Sequence, residues 1–547
     1  MIKIGLQPHS VYPWRTASGA STIQIRGLFR YRGRYYESGI PEELLNIRSE
    51  EDFKAALAHL SGNFALVCRF NGKTIAAVDR ISIYPLFFSQ SGADITISDR
   101  FTWMEQQQPD LQGDPESLLE FLATQMVLSN RTLAKGVYVL NAGQYLVADD
   151  TSGALTIHDY DTHRHTEAYP NDFTYLKQKH EEVIDDVFRR MIDSLHGRKV
   201  ILFLSGGYDS RLVAVQLHKF HYTNVLCVSF SAAYTPEVQV AKEVAAQLGF
   251  EWKLLEVDNH YVRSLAQENS SFESYQSAAS NGFRVPYLES VLLKPYFDRG
   301  ELPKDCVIVN GNSGDFIEGS QFSPRFVPGE SYTSDALVDA ILERHFLLSG
   351  KKICSYPGFR TTISSILQLD ANRSYSYAEC QELYEQFNWR ERQCKYVVNS
   401  INEAEEFLHT DWRLPLWDDA LVDFWLNVPI EQRAFRSLYL RIVGEESFPT
   451  ANTKTLYLHS VQRLKALFPQ LIWMLYPLKK AIGFLKPDSL FYTVSFKQFL
   501  EVLSYTKGYQ TDTISVYAYL LSQTLYQKYY GNTRRFIKHM LSCEAVI

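Results

Sequence analysis

Ser205-Gly206-Gly207-Tyr208-Asp209-Ser210 concentrates more chemistry than any other stretch of the chain. The apolar run Val200 to Leu204 precedes it, and Leu212, Val213, Val215 and Leu217 follow at helical spacing. That order is a buried strand, a glycine turn and a helix start. Adjacent glycines let backbone N–H groups converge on an anion, and the helix N-terminus adds the positive end of its dipole. Ser205 and Ser210 bring hydroxyls to phosphate oxygens. Asp209 would repel a bare phosphate but makes sense as a ligand of Mg²⁺. A second glycine-rich segment, Asn310-Gly311-Asn312-Ser313-Gly314-Asp315, follows the apolar run Cys306 to Val309. Two such loops could clamp one Mg-nucleotide; the competing reading of each is a ligand-free turn.

Positioning these loops requires strands that end on one edge. From residue 173 the pattern alternates: helix Leu176 to Leu195, strand Lys199 to Leu204, helix Asp209 to His218, strand Val225 to Phe230, helix Pro236 to Leu248, strand Trp252 to Val257. A helical insertion and the strand Cys306 to Val309 follow, and beyond about 330 the chain reads mostly helical. This predicts an α/β fold with a doubly wound parallel sheet covered on both faces, and ligands beyond the carboxyl ends of its strands. Residues 1–165 instead read as β-rich, with short apolar runs between Asn-Gly and Ser-Gly turns. Residues 150–172 are polar and turn-rich, a domain boundary. Their His158, His163 and His165 lack an acidic or cysteine partner at fixed spacing, so a solvated linker is expected rather than a metal site. The division expected is 1–165, 173–450 and a helical extension over 451–547.

With 21% charged residues, 46% hydrophobic residues and a net charge of −7, the 547-residue chain has an ordinary globular profile and no basic field for nucleic acid. Seven cysteines (68, 227, 306, 354, 380, 394 and 543) include no Cys-x-x-Cys pair, which argues against a disulfide framework and fits a reducing compartment. The N-terminus lacks the apolar core of a signal peptide. Leu471 to Leu485 is broken by Pro477, Lys479 and Lys480, too interrupted to span a bilayer. A cytoplasmic protein without a transmembrane segment is expected.

Taken in order, the segments resemble the asparagine synthetase family over nearly the full length. Ser205 to Ser210 is similar to the pyrophosphate loop of N-type ATP pyrophosphatases. Val228, Phe230 and Glu237 to Gly249 are similar to the family's second strand and helix, and Asn310 to Asp315 to its Ser-Gly-Glu-Gly-x-Asp-Glu loop. Arg413-Leu414-Pro415-Leu416-Trp417-Asp418, with Val428-Pro429 downstream, resembles its Arg-x-Pro-Phe-Leu-Asp segment. Gly62-Asn63-Phe64-Ala65 and Asp79 to Leu86 resemble its glutaminase half. The resemblance implies an N-terminal β-rich α+β sandwich of glutaminase type, then an ATP pyrophosphatase domain. It implies that a substrate carboxylate attacks the α-phosphate of ATP, giving an acyl-adenylate and pyrophosphate, and that an amine then displaces AMP. Mg²⁺ on Asp209 and Asp315 would neutralise the charge developing on pyrophosphate. Ser205, Gly206, Gly207, Asp209 and Ser210 would hold ATP phosphates, and Phe203, Val228, Asn310 and Gly311 would line the adenosine pocket. Ordinary strand core is the competing reading of Phe203 and Val228.

Departures from the family matter as much. Class II glutaminases use an N-terminal cysteine with its α-amino group as base. Here Ile2 follows Met1, Cys68 falls inside an expected strand, and Arg26-Gly27-Leu28 is the segment nearest to the missing Asn-Gly-Glu string. Asn312 stands where the family has a glutamate, and Phe316 replaces a second acid. The family's lysine has no clean counterpart: Ser437 is closest by spacing, with Arg433, Arg436 and Arg441 nearby. Since an amide cannot accept a proton, Glu318 is the nominated general base, against a plain surface glutamate. The leading reading is an ATP-dependent amide ligase without its own glutaminase activity. Its substrates would be a small-molecule or glycan carboxylate, a sugar acid of surface polysaccharide being preferred, and ammonia or another amine. Asparagine synthesis from aspartate, or a nucleotide-binding regulatory or scaffold relative, are the alternatives, and a homodimer is left open.

Overall fold

A computed structural model describes residues 1–231, 234–257, 281–284, 289–346, 356–399 and 407–443. The proposed helical extension over 451–547, and Leu471 to Leu485 within it, lie outside the described residues. No helix among the described residues is long and apolar enough to cross a membrane.

The chain is a multi-domain α/β protein with antiparallel sheets first and a parallel sheet after them. Six antiparallel strands run in the order β13 (Leu155–Asp159), β12 (Gln144–Asp149), β8 (Lys73–Val78), β7 (Ala65–Phe70), β3 (Thr22–Arg26), β2 (Arg15–Ser18). Period-two alternation sends Ala65 and Val67 to one face and Leu66 and Cys68 to the other. The first face shares a core with β9 (Phe87–Ser91) and β10 (Asp94–Ser98) of a second sheet, which β1 (Ile2–Gly5) and β11 (Val137–Val139) complete. The second face is covered by helix α1 (Glu50–Leu57) and a small sheet of β4 (Phe29–Tyr31), β5 (Arg34–Tyr36) and β6 (Leu60–Gly62). Burial on both faces explains why β7 reads as a continuous apolar run. Helices α2 (Phe101–Gln107) and α3 (Pro115–Thr124) close this half.

The turn-rich segment after β13 is not a solvated linker. His163 is buried and stacks on Trp389 with ring centroids 3.8 Å apart, while His165 Nε2 lies 3.3 Å from Glu385 Oε2. Backbone N–H groups of Thr166 and Tyr169 donate to the carbonyls of Leu426 and Asn427, pinning the segment along the helix Asp419–Asn427. Burial pushes both imidazoles below their ordinary pKa, so they are packed as neutral rings.

After helix α4 (Phe173–Asp193) comes an all-parallel sheet ordered β16 (Glu251–Glu256), β15 (Val225–Ser231), β14 (Lys199–Phe203), β17 (Cys306–Val309), β20 (Asp411–Arg413). Helices α5 (Tyr208–Lys219) and α6 (Pro236–Gln247) are the first two crossovers. Successive strands step outward from β14 through β15 to β16, and the chain then returns to place β17 on the other side of β14. The strand order therefore reverses between β14 and β17, the position at which such sheets open a crevice. Past residue 330 the chain is mainly helical, with a two-stranded ribbon of β18 (Ser331–Thr333) and β19 (Ser374–Ser376). The fifth parallel strand, β20, was not expected from sequence.

Candidate functional site

The crevice at the β14/β17 reversal is floored by the two glycine loops. After β14, the Leu204 N–H still donates to the Val228 carbonyl at 2.9 Å, and the chain then turns. The Ser205 N–H donates to Ser210 Oγ (3.0 Å), the two serine hydroxyls lie 3.0 Å apart, and the Gly207 N–H donates to Ser205 Oγ (3.1 Å). Arg211 braces the turn, Nε donating to the Gly207 carbonyl (3.1 Å) and Nη2 to that of Gly206 (3.0 Å). Ser205 and Gly207 face solvent. The loop thus presents the Ser205 hydroxyl and the start of α5 outward, with buried Ser210 bonded behind it, and this is a place where an anion can sit.

The second loop packs against the first. A Cβ on Gly311 would stand 3.0 Å from both the Asp209 carbonyl carbon and Ser210 N, a contact tight enough that the facing backbone would have to give by a few tenths of an ångström. The Asp315 N–H donates to Asp209 Oδ2 at 2.9 Å, joining the two loops directly. Asn310 Oδ1 accepts from the Asn312 N–H (2.8 Å), and the Asn312 carbonyl accepts from Trp417 Nε1 (2.8 Å). Phe316 lies parallel to Trp417 within 1° at 6.2 Å and also packs near Trp389 and His163. An acid there would be buried among aromatic rings, a costly place for a charge.

Above Asp209 lies Arg436. Its Nη2 donates to Asp209 Oδ1 (2.5 Å) and to Glu318 Oε2 (2.6 Å), and its Nε donates to the same Glu318 oxygen (2.9 Å). The guanidinium also sits over the Tyr439 ring at 4.6 Å. Burial lifts the Asp209 carboxyl above its ordinary range; Arg436 pulls it back and Asp315 adds to the rise. Burial likewise pushes Glu318 well up, again against the pull of Arg436. Arg436 reaches these acids through an unusual backbone: Phe435 (φ 53°) and Arg436 (φ 66°) are consecutive left-handed residues. Non-glycine residues in that region cost on the order of 1 kcal/mol or more each, and such strain gathers at functional sites.

Of the residues singled out from sequence, Ser205, Gly206, Gly207, Asp209, Ser210, Gly311, Asp315 and Glu318 come together here. Glu318 is not a surface glutamate: it is 2% exposed and engaged with Arg436. Val228 is fully buried in β15, and Phe203 packs its ring on Phe230 at 4.9 Å, so both belong largely to the sheet. The other two arginines near the absent lysine are committed elsewhere. Arg433 Nη1 pairs with Glu385 (2.7 Å), and Arg441 lies 3.7 Å over the Phe173 ring. Arg436 is thus the functional candidate that spacing alone could not select; the Ser437 alignment pointed one residue past it.

In the N-terminal half, Cys68 is buried in β7, and burial pushes its thiol up to about 12. None of the five cysteines among the described residues is exposed.

Residues 23–160 match the glutamine amidotransferase domain family, and residues 198–283 match a family of unknown function, DUF7411. No curated protein matches the chain. Among solved structures, the chain is similar to the NH3-dependent NAD synthetase from Campylobacter jejuni subsp. jejuni NCTC 11168, with 21% identity and a TM-score of 0.18, over 27% of this chain and 59% of that one. It is similar to the glutamine phosphoribosylpyrophosphate amidotransferase from B. subtilis, with 9% identity and a TM-score of 0.18, over 55% and 63%. A structure described as the allosteric regulatory enzyme of purine biosynthesis shares 10% identity and a TM-score of 0.19, over 51% and 72%. The chain spans about three fifths of the length of the first two.

Proposed function

We propose that this chain is an ATP-dependent amide ligase of the asparagine synthetase type, which adenylates a carboxylate and passes the acyl group to an amine. The observation that carries this reading is the meeting of the Ser205–Ser210 loop with Asp315 at the point where the strand order reverses. Ser205, Gly206, Gly207 and Ser210 would cradle the phosphates, with the start of α5 adding its dipole. Asn310 and Gly311 would border the nucleotide, and Phe203 and Val228 would reach it only by backbone or one edge. Asp209, Asp315 and Glu318 share one neighbourhood, with Arg436 bonded to two of them; their oxygens are of the type a hard divalent cation takes, although no three such groups among the described residues converge on one point. Asp209 and Asp315 would hold Mg²⁺, which when bound supplies charge neutralisation at the phosphates. Glu318 is the proposed proton acceptor for the attacking amine once Arg436 no longer holds it. A sugar acid is the proposed carboxylate, with ammonia as the amine.

ATP–pyrophosphate exchange, screened over candidate acids, tests the reading. Asp209→Asn should lower exchange at least about 100-fold with the fold retained by circular dichroism. Unchanged exchange would remove Asp209 from the site. The guanidinium seated on Asp209 favours a second reading, a nucleotide-binding relative without turnover; nucleotide binding with no exchange on any acid would select it.

A further inference from the structure

Arg436 stands where a cation serving Asp209 would stand. One of its nitrogens bridges Asp209 Oδ1 and Glu318 Oε2, and the other Asp209 oxygen is taken by the Asp315 N–H. As the side chains lie, no three acid, histidine or cysteine groups among the described residues converge to hold a metal ion. The arginine is brought in by two consecutive left-handed residues, a backbone that is costly for non-glycine residues. Removing the guanidinium would take away the cation bonded to both Asp209 and Glu318, leaving the Asp209 oxygen it holds open to a divalent ion.

We infer that Arg436 is a tethered cation which holds the Asp209 position in the nucleotide-free chain, and that a divalent ion enters only when Arg436 swings away. This rests on the proposed ATP site for what draws the arginine off. A triphosphate offers a guanidinium several charged oxygens in bidentate geometry, a match for the two carboxylates it leaves. Arrival of nucleotide would then open Asp209 to the metal. Metal and nucleotide would bind together, each weakly alone.

The test is Mn²⁺ binding to the full chain, followed by electron paramagnetic resonance without nucleotide. Wild type should bind Mn²⁺ weakly. Arg436→Gln should bind it at least about tenfold more tightly, and the gain should vanish when Asp209→Asn is added. Arg436→Lys, which keeps the charge but not the fork, should fall between them and serves if the glutamine variant does not fold. Nucleotide-free wild type binding Mn²⁺ at Asp209 as tightly as the variants would overturn the inference, as would a folded variant with no gain. Adding α,β-methylene-ATP should raise wild-type Mn²⁺ affinity at least about tenfold and that of Arg436→Gln far less. If the variants gain Mn²⁺ but no protein binds the analogue, the arginine–metal exchange stands and the ATP reading fails.

Discussion

A methyl group at Gly311 would press on the backbone of Asp209 and Ser210 at 3.0–3.1 Å, which must give by a few tenths of an ångström, and backbone gives less readily than the end of a flexible side chain. Gly311→Ala should part the two loops, costing about 1–3 kcal/mol in a denaturant titration and weakening nucleotide binding beyond that loss of stability. Unchanged nucleotide affinity would show that the loops do not act jointly. Cys68 gives a second expectation. A thiol held near 12 inside a strand is neither ionised nor reachable at neutral pH. Purified chain should release no glutamate from glutamine, and iodoacetamide should label Cys68 only on unfolding; labelling of Cys68 itself in the native chain, read by peptide mass spectrometry, would contradict its burial. Residues of this kind were legible because turn chemistry is local: two glycines, a serine and an aspartate after an apolar run define their own geometry. Arg436 was not, since three arginines in nine positions looked alike until the backbone at 435–436 turned one toward Asp209.

Periodicity revealed the elements that alternate over 173–257, and it failed where an element is short or irregular. Strand β20 is three residues, Asp411-Trp412-Arg413, and two of them are charged, so nothing in its pattern says parallel sheet. Its burial comes from partners: Asp411 Oδ1 accepts from Arg413 Nη1 (2.7 Å) and from the Tyr12 hydroxyl (2.6 Å). His163 and His165 were misjudged for the same reason, because Phe316, Trp389 and Glu385, which pack against them, lie far along the chain. The segment Trp389–Val398 is a π-helix, wound wider than an α-helix, and it carries a buried charge pair. Lys395 donates to the Val127 carbonyl (3.0 Å), to the Ser129 carbonyl and to Glu391 Oε2 (2.7 Å), which also accepts the Ser129 N–H (2.8 Å). This helix thereby clamps the chain that follows α3. Lys395→Met takes the hydrogen-bonded cation from buried Glu391, leaving it the Ser129 N–H (2.8 Å) and the more distant Arg390 (3.7 Å), and should cost about 3 kcal/mol in chemical denaturation. Lys395→Met with Glu391→Leu should recover only part, because the Ser129 N–H then loses its acceptor. A loss within error of zero for the single variant would mean that the pair does not hold these elements together.

Across the whole molecule, the β-rich half and the parallel-sheet half are joined by acids and arginines that are mostly shielded from water, Asp423 being the exposed one of those named. Arg80 pairs with Asp161 (2.9 Å) and Asp423 (2.8 Å), while Asp418 takes Arg30 (3.1 Å) and Arg190 (3.0 Å). Behind them lies Asp79, fully buried, accepting the N–H groups of Phe64 and Ile81 at 2.9 Å each. Burial lifts its carboxyl to about 7, the backbone donors opposing and Asp419 adding; burial brings Asp419 itself to about 6. In the unfolded chain both carboxyls titrate near 4. Between those limits the folded chain holds protons that the unfolded chain has lost, so stability from these groups falls as pH rises toward 7 and is level above it. Buried neutral His163, His180 and His345 act in the opposite sense, losing stability as pH drops below their ordinary pKa, so the wild-type curve alone mixes the two. Comparison with Asp79→Asn separates them. The amide keeps an oxygen for the Ile81 N–H but meets the Phe64 N–H with a donor of its own, a cost that does not change with pH. Riding on that constant cost, the wild type should lose about 2–3 kcal/mol relative to the variant between pH 5 and pH 8. Denaturant titrations of both proteins at the two pH values measure the difference directly. A pH-independent gap would mean that Asp79 is already ionised at pH 5, and that its backbone donors outweigh its burial.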